Sequence, residues 1–241
     1  MIGVSSFAFH ELPLSETLEK IESIASCAEI FSEGQHDLLN HNISEVANSY
    51  NLKYTVHAPT SDLNIASIRE PIRKASLEIL KEMADICMKL DSEIMVVHPG
   101  YVAFPYERDR ALKAFSHSIP VLEQIHSETG VKICLENMPM WECFIFREPG
   151  LDLGENFFAL DVGHAHTMDN LKDFLDMEIA HFHLHDNNGM GDDHSPIGSG
   201  NIDYSIISPL LKDSNAAKII ENKCENDVLK SVDAIKKMSV R

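Results

Sequence analysis

The sequence predicts an α/β protein, a single (β/α)8 TIM-barrel domain over residues 1–241. Short apolar runs alternate with longer amphipathic segments from one end to the other. Eight such alternations argue for parallel strands that close on themselves, because each strand–helix unit returns the chain to the same end of the sheet. The length of 241 residues suits that closure, which ordinarily takes about 250. Hydrophobic residues make up 44% of the chain, enough for a large core.

Taken in order, strands are expected at residues 2–6, 28–32, 53–57, 93–98, 131–136, 157–161, 180–185 and 217–221. Helical periodicity is clearest over residues 15–25, 68–90, 108–128, 170–176 and 228–237. The fifth connection, from Asn137 to Asn156, is short and contains Pro and Gly, so no full helix is expected there. No linker or low-complexity tract divides the chain.

The formal net charge is −18. Such a field repels phosphate backbones and anionic surfaces at long range, which disfavours duplex DNA and membranes as partners. A bound metal or a local basic lip could offset it at one site. No run reaches the roughly 18 uninterrupted apolar residues of a membrane span. Met1-Ile2-Gly3-Val4-Ser5 reads as a strand, without the basic start of an export signal. The five cysteines are scattered and odd in number, which argues against a disulfide framework and for a reduced, cytoplasmic setting.

Polar residues gather where the strands end. His57 closes the third, His98 the fourth, Glu136 the fifth, Asp161 and His164 the sixth, and Glu221 the eighth. The seventh carries His181-Phe182-His183-Leu184-His185-Asp186. Side chains alternate faces along a strand, so the three histidines share one face, and Phe182 and Leu184 share the other. The apolar pair must pack under the outer helices, which turns the histidines inward. The same rule turns Glu136 and Asp161 inward if Ile133, Leu135, Phe158 and Leu160 face out. Acids and imidazoles converging on one mouth need a neutraliser, and a divalent cation is the simplest. Mixed imidazole and carboxylate ligands suit Zn, Mn or Co. In the loop after the seventh strand, Asp192-Asp193-His194 can place two ligands on one ion.

A lone strand-end histidine is more often a satisfied polar group than a ligand; recurrence at one end of a barrel, where active sites of this fold lie, reverses that weighting. His10, His36, His41, His117 and His126 fall in loops or helices and are expected at the surface. His181 and His185 stand as supports behind the ligands. Candidates for substrate contact are Trp141, His185 and Glu33. Cys134 is read as a small buried apolar residue.

In this order, His57-Ala58-Pro59, Val96-Val97-His98-Pro99-Gly100, Leu135-Glu136-Asn137, Leu160-Asp161-Val162-Gly163-His164, His183-Leu184-His185-Asp186, the loop 192–203 and Ile220-Glu221-Asn222 resemble the xylose isomerase-like barrels. That superfamily includes sugar isomerases, epimerases and the family 2 apurinic/apyrimidinic endonucleases. The resemblance implies a central metal quartet of Glu136, Asp161, His183 and Glu221, with Glu136 and Glu221 as the catalytic acid and base of the isomerase branch. For the endonuclease branch it implies three zinc ions on His57, His98, Glu136, Asp161, His164, His183, Asp192, His194 and Glu221. The cofactor expected is thus a divalent metal, Zn or Mn, one to three ions per chain.

Two activities follow. The first is isomerisation or epimerisation of a small sugar or sugar phosphate, with proton transfer by Glu136 and Glu221. The second is zinc-dependent cleavage at abasic DNA, favoured by the complete ligand set but opposed by the acidic charge. Thr60-Ser61-Asp62 after Pro59 also lacks an aromatic wedge to enter a duplex. A third reading keeps the ligands without catalysis. Isomerase or epimerase is preferred by a small margin. Arg108, Arg110 and Arg147 are the candidates to hold a sugar phosphate.

Overall fold

The computed structural model describes residues 2–213 and 215–239. Among them, eight parallel strands close into a barrel in chain order. They are β1 (Ile2–Ser5), β2 (Cys27–Phe31), β3 (Lys53–His57), β4 (Ile94–Val97), β5 (Lys132–Glu136), β6 (Phe157–Asp161), β7 (Ile179–Leu184) and β8 (Ala217–Ile220). Pairing of β1 with β8 completes the circle. The helices around it are α1 (Leu14–Ile24), α2 (His41–Ala47), α3 (Glu70–Lys89), α4 (Arg108–Ser116), α5 (Ile119–Thr129), α6 (Val162–Thr167), α7 (Leu171–Phe174), α8 (Ser208–Asp213) and α9 (Glu225–Ser239). No helix of the described residues is long and apolar enough to cross a membrane.

The strand alternation sorts the core into two layers. Ile133, Leu135, Phe158, Leu160, Phe182 and Leu184 join the large cluster under the helices, while Val96, Cys134 and Ala159 form a small cluster of their own. Those three lie one strand repeat below the polar ends of β4, β5 and β6, inside the barrel. Space is tight at Gly3 in β1, where a Cβ would lie 2.7 Å from the Ile219 side chain and 3.0 Å from Cys27 Cβ.

Two expectations are corrected. The helix expected over residues 108–128 is two helices, α4 and α5. Pro120 opens α5, where its missing N–H costs nothing, and the break buries Ser118, whose Oγ donates to the Ile65 carbonyl at 2.7 Å. His36, expected at the surface, is 1% exposed. The turn after β2 folds it against α1, where its ring nitrogens meet Ser6 Oγ at 3.1 Å, Thr17 Oγ1 at 3.1 Å and the Leu12 carbonyl at 3.0 Å. The fifth connection carries no helix, as its composition predicts.

Candidate metal centre

The sheet register brings the strand ends to one level: His57 pairs with Val96, Glu136 with Ala159, and Asp161 with His183. Glu136, Asp161 and His183 are all but fully buried. Glu136 stands between two sets of imidazoles. Its Oε2 lies 3.3 Å from His57 Nε2 and 3.0 Å from His98 Nε2. Its Oε1 lies 2.8 Å from His183 Nδ1. Asp192 Oδ2 sits 3.1 Å from both His164 Nε2 and His194 Nε2.

Among the described residues, ligand-type atoms thus converge in four groups, the atoms of each within 4.8 Å of one another. One is the expected quartet Glu136, Asp161, His183 and Glu221. A second is His57, His98 and Glu136. A third is His164, His185, Asp192 and His194. The fourth, Glu29, His181 and His183, was not anticipated.

The donor chemistry fits cations. His57 Nδ1 is 2.8 Å from the Ala58 carbonyl, His164 Nδ1 is 2.8 Å from that of Asn137, and His194 Nδ1 is 3.0 Å from that of Glu221. A carbonyl only accepts, so each Nδ1 carries the proton and each Nε2 presents a lone pair. Those lone pairs face carboxylate oxygens, and two acceptors cannot bond without a proton or a metal ion between them. Buried Asp192 Oδ1 and His185 Nδ1 also lack a hydrogen-bond partner.

Without ions, protons take that role. Burial opposes charge on Glu136, but the imidazoles of His183, His57 and His98 outweigh it and hold the carboxyl well below its usual range. Burial likewise lowers His183 and His164, yet neighbouring carboxylates carry both well above the ordinary imidazole value. His194 is pushed up to about 9, because its hydrogen bond and charge interaction with Asp192 overcome burial.

The loop 186–202 supplies Asp192 and His194, and Asp186 holds it. Asp186 Oδ1 accepts from Asn187 N at 2.9 Å and Ile202 N at 3.2 Å, and Oδ2 from Gly198 N at 2.9 Å. Paired backbone bonds of 2.8 Å join Asp186 to Ser195. On the opposite side Gly163 lies flat under the His185 ring, where a Cβ would come within 2.0 Å.

The sequence profile of the family described as xylose isomerase-like TIM barrel matches residues 21–238. The chain belongs to that family. An uncharacterized protein of Methanocaldococcus jannaschii is 38% identical over 247 residues, covering 98% of each chain. A probable endonuclease 4 of Mycobacterium leprae is 26% identical over 204 residues, covering 74% of this chain and 76% of the relative. Among solved structures, a D-tagatose 3-epimerase-like protein superposes with a TM-score of 0.84 at 31% identity, covering 99% of this chain and 97% of the other.

Within this family barrel, a cavity of about 180 Å3 opens above the ring. Its floor is His57, His98, Glu136, His164, Asp192, His194 and Glu221, and its apolar walls include Phe7, Phe31, Met138 and Phe144. Trp141 meets Phe144 edge-on at 4.8 Å and Tyr101 at 5.9 Å, so it stands one ring behind the wall and is 47% exposed. His185 is fully buried, stacked 4.0 Å from His194, with Nε2 3.1 Å from both oxygens of Asp161. Glu33 Oε1 accepts from the backbone of Thr60 at 2.6 Å and of Ser61 at 2.7 Å, clasping the loop after β3.

The three arginines lie outside the cavity. Arg108 donates to the carbonyls of Phe144 and Ile145, both at 2.9 Å. Arg110 pairs with Glu107 at 2.6 Å, and Arg147 reaches Met168 Sδ at 3.9 Å. Among the described residues, no Lys or Arg lines the cavity. Sequence reasoning missed Glu29 and Asp186. The signal for Glu29 was its place two residues before Phe31 in a strand whose inward face it shares.

Proposed function

We propose that the chain is a metal-dependent isomerase or epimerase of a small, uncharged sugar. The observation that carries this is the pairing of Glu136 and Glu221 in one four-residue ligand group on the floor of a cavity of about 180 Å3. That space is smaller than the roughly 300–1,000 Å3 of ordinary drug-sized sites. Apolar walls suit the C–H faces of a sugar ring, and a lining free of Lys and Arg favours a substrate without phosphate.

A divalent ion on Glu136, Asp161, His183 and Glu221 would polarise neighbouring sugar oxygens. Glu136 ends β5 and Glu221 follows β8, so the two carboxylates approach from different sides of the ring. One would take the proton from the hydroxyl-bearing carbon beside the polarised carbonyl, and the other, entering the step as the carboxylic acid, would deliver its own proton to the opposite face. Glu136, held well below its usual range by the neighbouring imidazoles, is ionised at neutral pH, the form in which a carboxylate binds a metal ion. Phe7, Phe31 and Phe144 limit the access of water to the exchanging proton.

A second reading, metal-dependent phosphoester hydrolysis, is favoured by one observation. Two further groups, His57–His98–Glu136 and His164–His185–Asp192–His194, flank the quartet, and proton transfer does not call for them. One experiment separates the readings. Zinc- or manganese-loaded protein and its Glu136→Gln variant are assayed on a panel of ketoses and on a duplex with one abasic site. Ketose conversion by wild type alone supports the proposal. Nicking of the duplex by wild type alone replaces it with the second reading.

A further inference from the structure

We propose that Glu29 is a positioning residue that fixes His183 as an Nδ1 ligand, and that the Glu29–His181–His183 group is a support and not a fourth ion site. The inference rests on the reading that the quartet holds a metal.

Glu29 lies in the middle of β2 with no exposed surface. Its Oε1 is 2.7 Å from His183 Nε2. Its Oε2 accepts from Thr55 Oγ1 at 3.0 Å and lies 2.9 Å from His181 Nε2. The other nitrogen of His183 faces the ring above: Nδ1 is 2.8 Å from Glu136, 3.5 Å from Glu221 and 3.8 Å from Asp161. Glu29 thus sits directly beneath one ligand of the quartet.

A neutral imidazole has one N–H and one lone pair. For His183 Nδ1 to bind an ion among those three carboxylates, its proton must be on Nε2, where the Glu29 carboxylate accepts it. An Nε2 that carries a proton cannot ligate a second ion below. The lower group is then left with Glu29 and His181, two ligands where a closed structural site takes four. Proximity makes it resemble a metal site, and proton counting removes it.

The contrast with the neighbouring imidazoles gives Glu29 its weight. His57, His164 and His194 donate to backbone carbonyls, which are neutral and come with the fold. His183 donates to a charged acceptor at a distance typical of charge-assisted bonds. A charged acceptor pulls the Nε2 proton toward itself and makes Nδ1 a stronger donor to the ion. His181 flanks the arrangement from the same strand face: its ring stands edge-on to His183, with centroids 4.9 Å apart, and its Nε2 lies 2.9 Å from the second oxygen of Glu29 without hydrogen-bond alignment.

The test uses the full chain and zinc as the probe. In zinc-loaded wild type, nitrogen-15 NMR of the imidazoles is expected to show His183 protonated at Nε2 and metal-bound at Nδ1. A metal-bound Nε2 would overturn the proposal without any variant. Chelator competition is expected to show zinc bound about 10–100-fold more weakly at the quartet in Glu29→Gln, with partial recovery in Glu29→Asp. His181→Asn is expected to leave the number of ions per chain unchanged, and loss of one ion would establish a lower site. Equal zinc affinity in Glu29→Gln and wild type would also overturn the proposal. A wild-type protein that binds no zinc or manganese would instead defeat the metal reading of the quartet.

Discussion

Two parts of the ligand ring are held in place by different means. His57, Glu136, Asp161 and His183 belong to strands, so their spacing is the spacing of the sheet. Asp192 and His194 belong to the loop 186–202, gathered by the hydrogen bonds of a single buried carboxylate, Asp186. Asn222 adds to the clasp, its side-chain amide donating to the carbonyls of His194 at 3.0 Å and Ser195 at 2.9 Å. His194 itself takes a left-handed backbone, φ 49°, a conformation held against an intrinsic cost. The strand part can be lost only with the barrel. The loop part can be lost alone, and the two should therefore fail separately.

The harshest way to break that comparison is Glu136→Gln, since Glu136 belongs to two ligand groups of the strand part. Turnover of whichever substrate is found should fall by about 10²–10⁴-fold, with fewer ions per chain by atomic emission. Full activity would remove Glu136 from the chemistry. Asp186→Ala comes next. It leaves buried N–H groups of the loop without their acceptor, each costing about 1–3 kcal/mol. The ion on Asp192 and His194 should be lost while the quartet keeps its own; simultaneous loss of both would show that the two parts are one unit.

A gentler probe is pH. The metal-free fold holds His194 at about 9, above the roughly 6.5 of an unfolded histidine. Its contribution to stability is fully present below about pH 6.5 and is lost as pH rises through 9. An ion replaces that proton, so the rise in melting temperature on adding zinc should grow across this window. A rise that stays flat would mean that the loop part takes no ion. The smallest effect is expected from Glu33→Gln. Its acceptor bonds to Thr60 and Ser61 survive in neutral form, so the unfolding free energy from denaturant titration should change by about 1 kcal/mol or less.

The strand part of the site was the more legible. A period of two places Glu136, Asp161 and His183 inward once Leu135, Leu160 and Phe182 are sent outward, and the structure sends them there. The chain order of the motifs then identifies the family. Glu29 was hidden because it lies in the middle of Cys27-Ala28-Glu29-Ile30-Phe31, whereas the polar candidates stood out by their place at the strand ends. Asp186 was hidden inside a string of more conspicuous histidines, since its partners lie up to sixteen residues further along the chain. His185, read as a support or a substrate contact, sits among the ligand atoms of the third group because Gly163 lets its ring approach. His36 was misplaced for a related reason, its partners being spread over Ser6, Leu12 and Thr17.

The ladder of rings from Phe144 through Trp141 to Tyr101 has an optical consequence. Trp141 is the single tryptophan of the sequence, and it touches a residue that walls the cavity. All indole fluorescence therefore originates at one point beside the mouth of the barrel, from a ring half open to water. A change in its emission on adding an ion or a sugar reports on that mouth alone, and the protein can be titrated by its own light without a label.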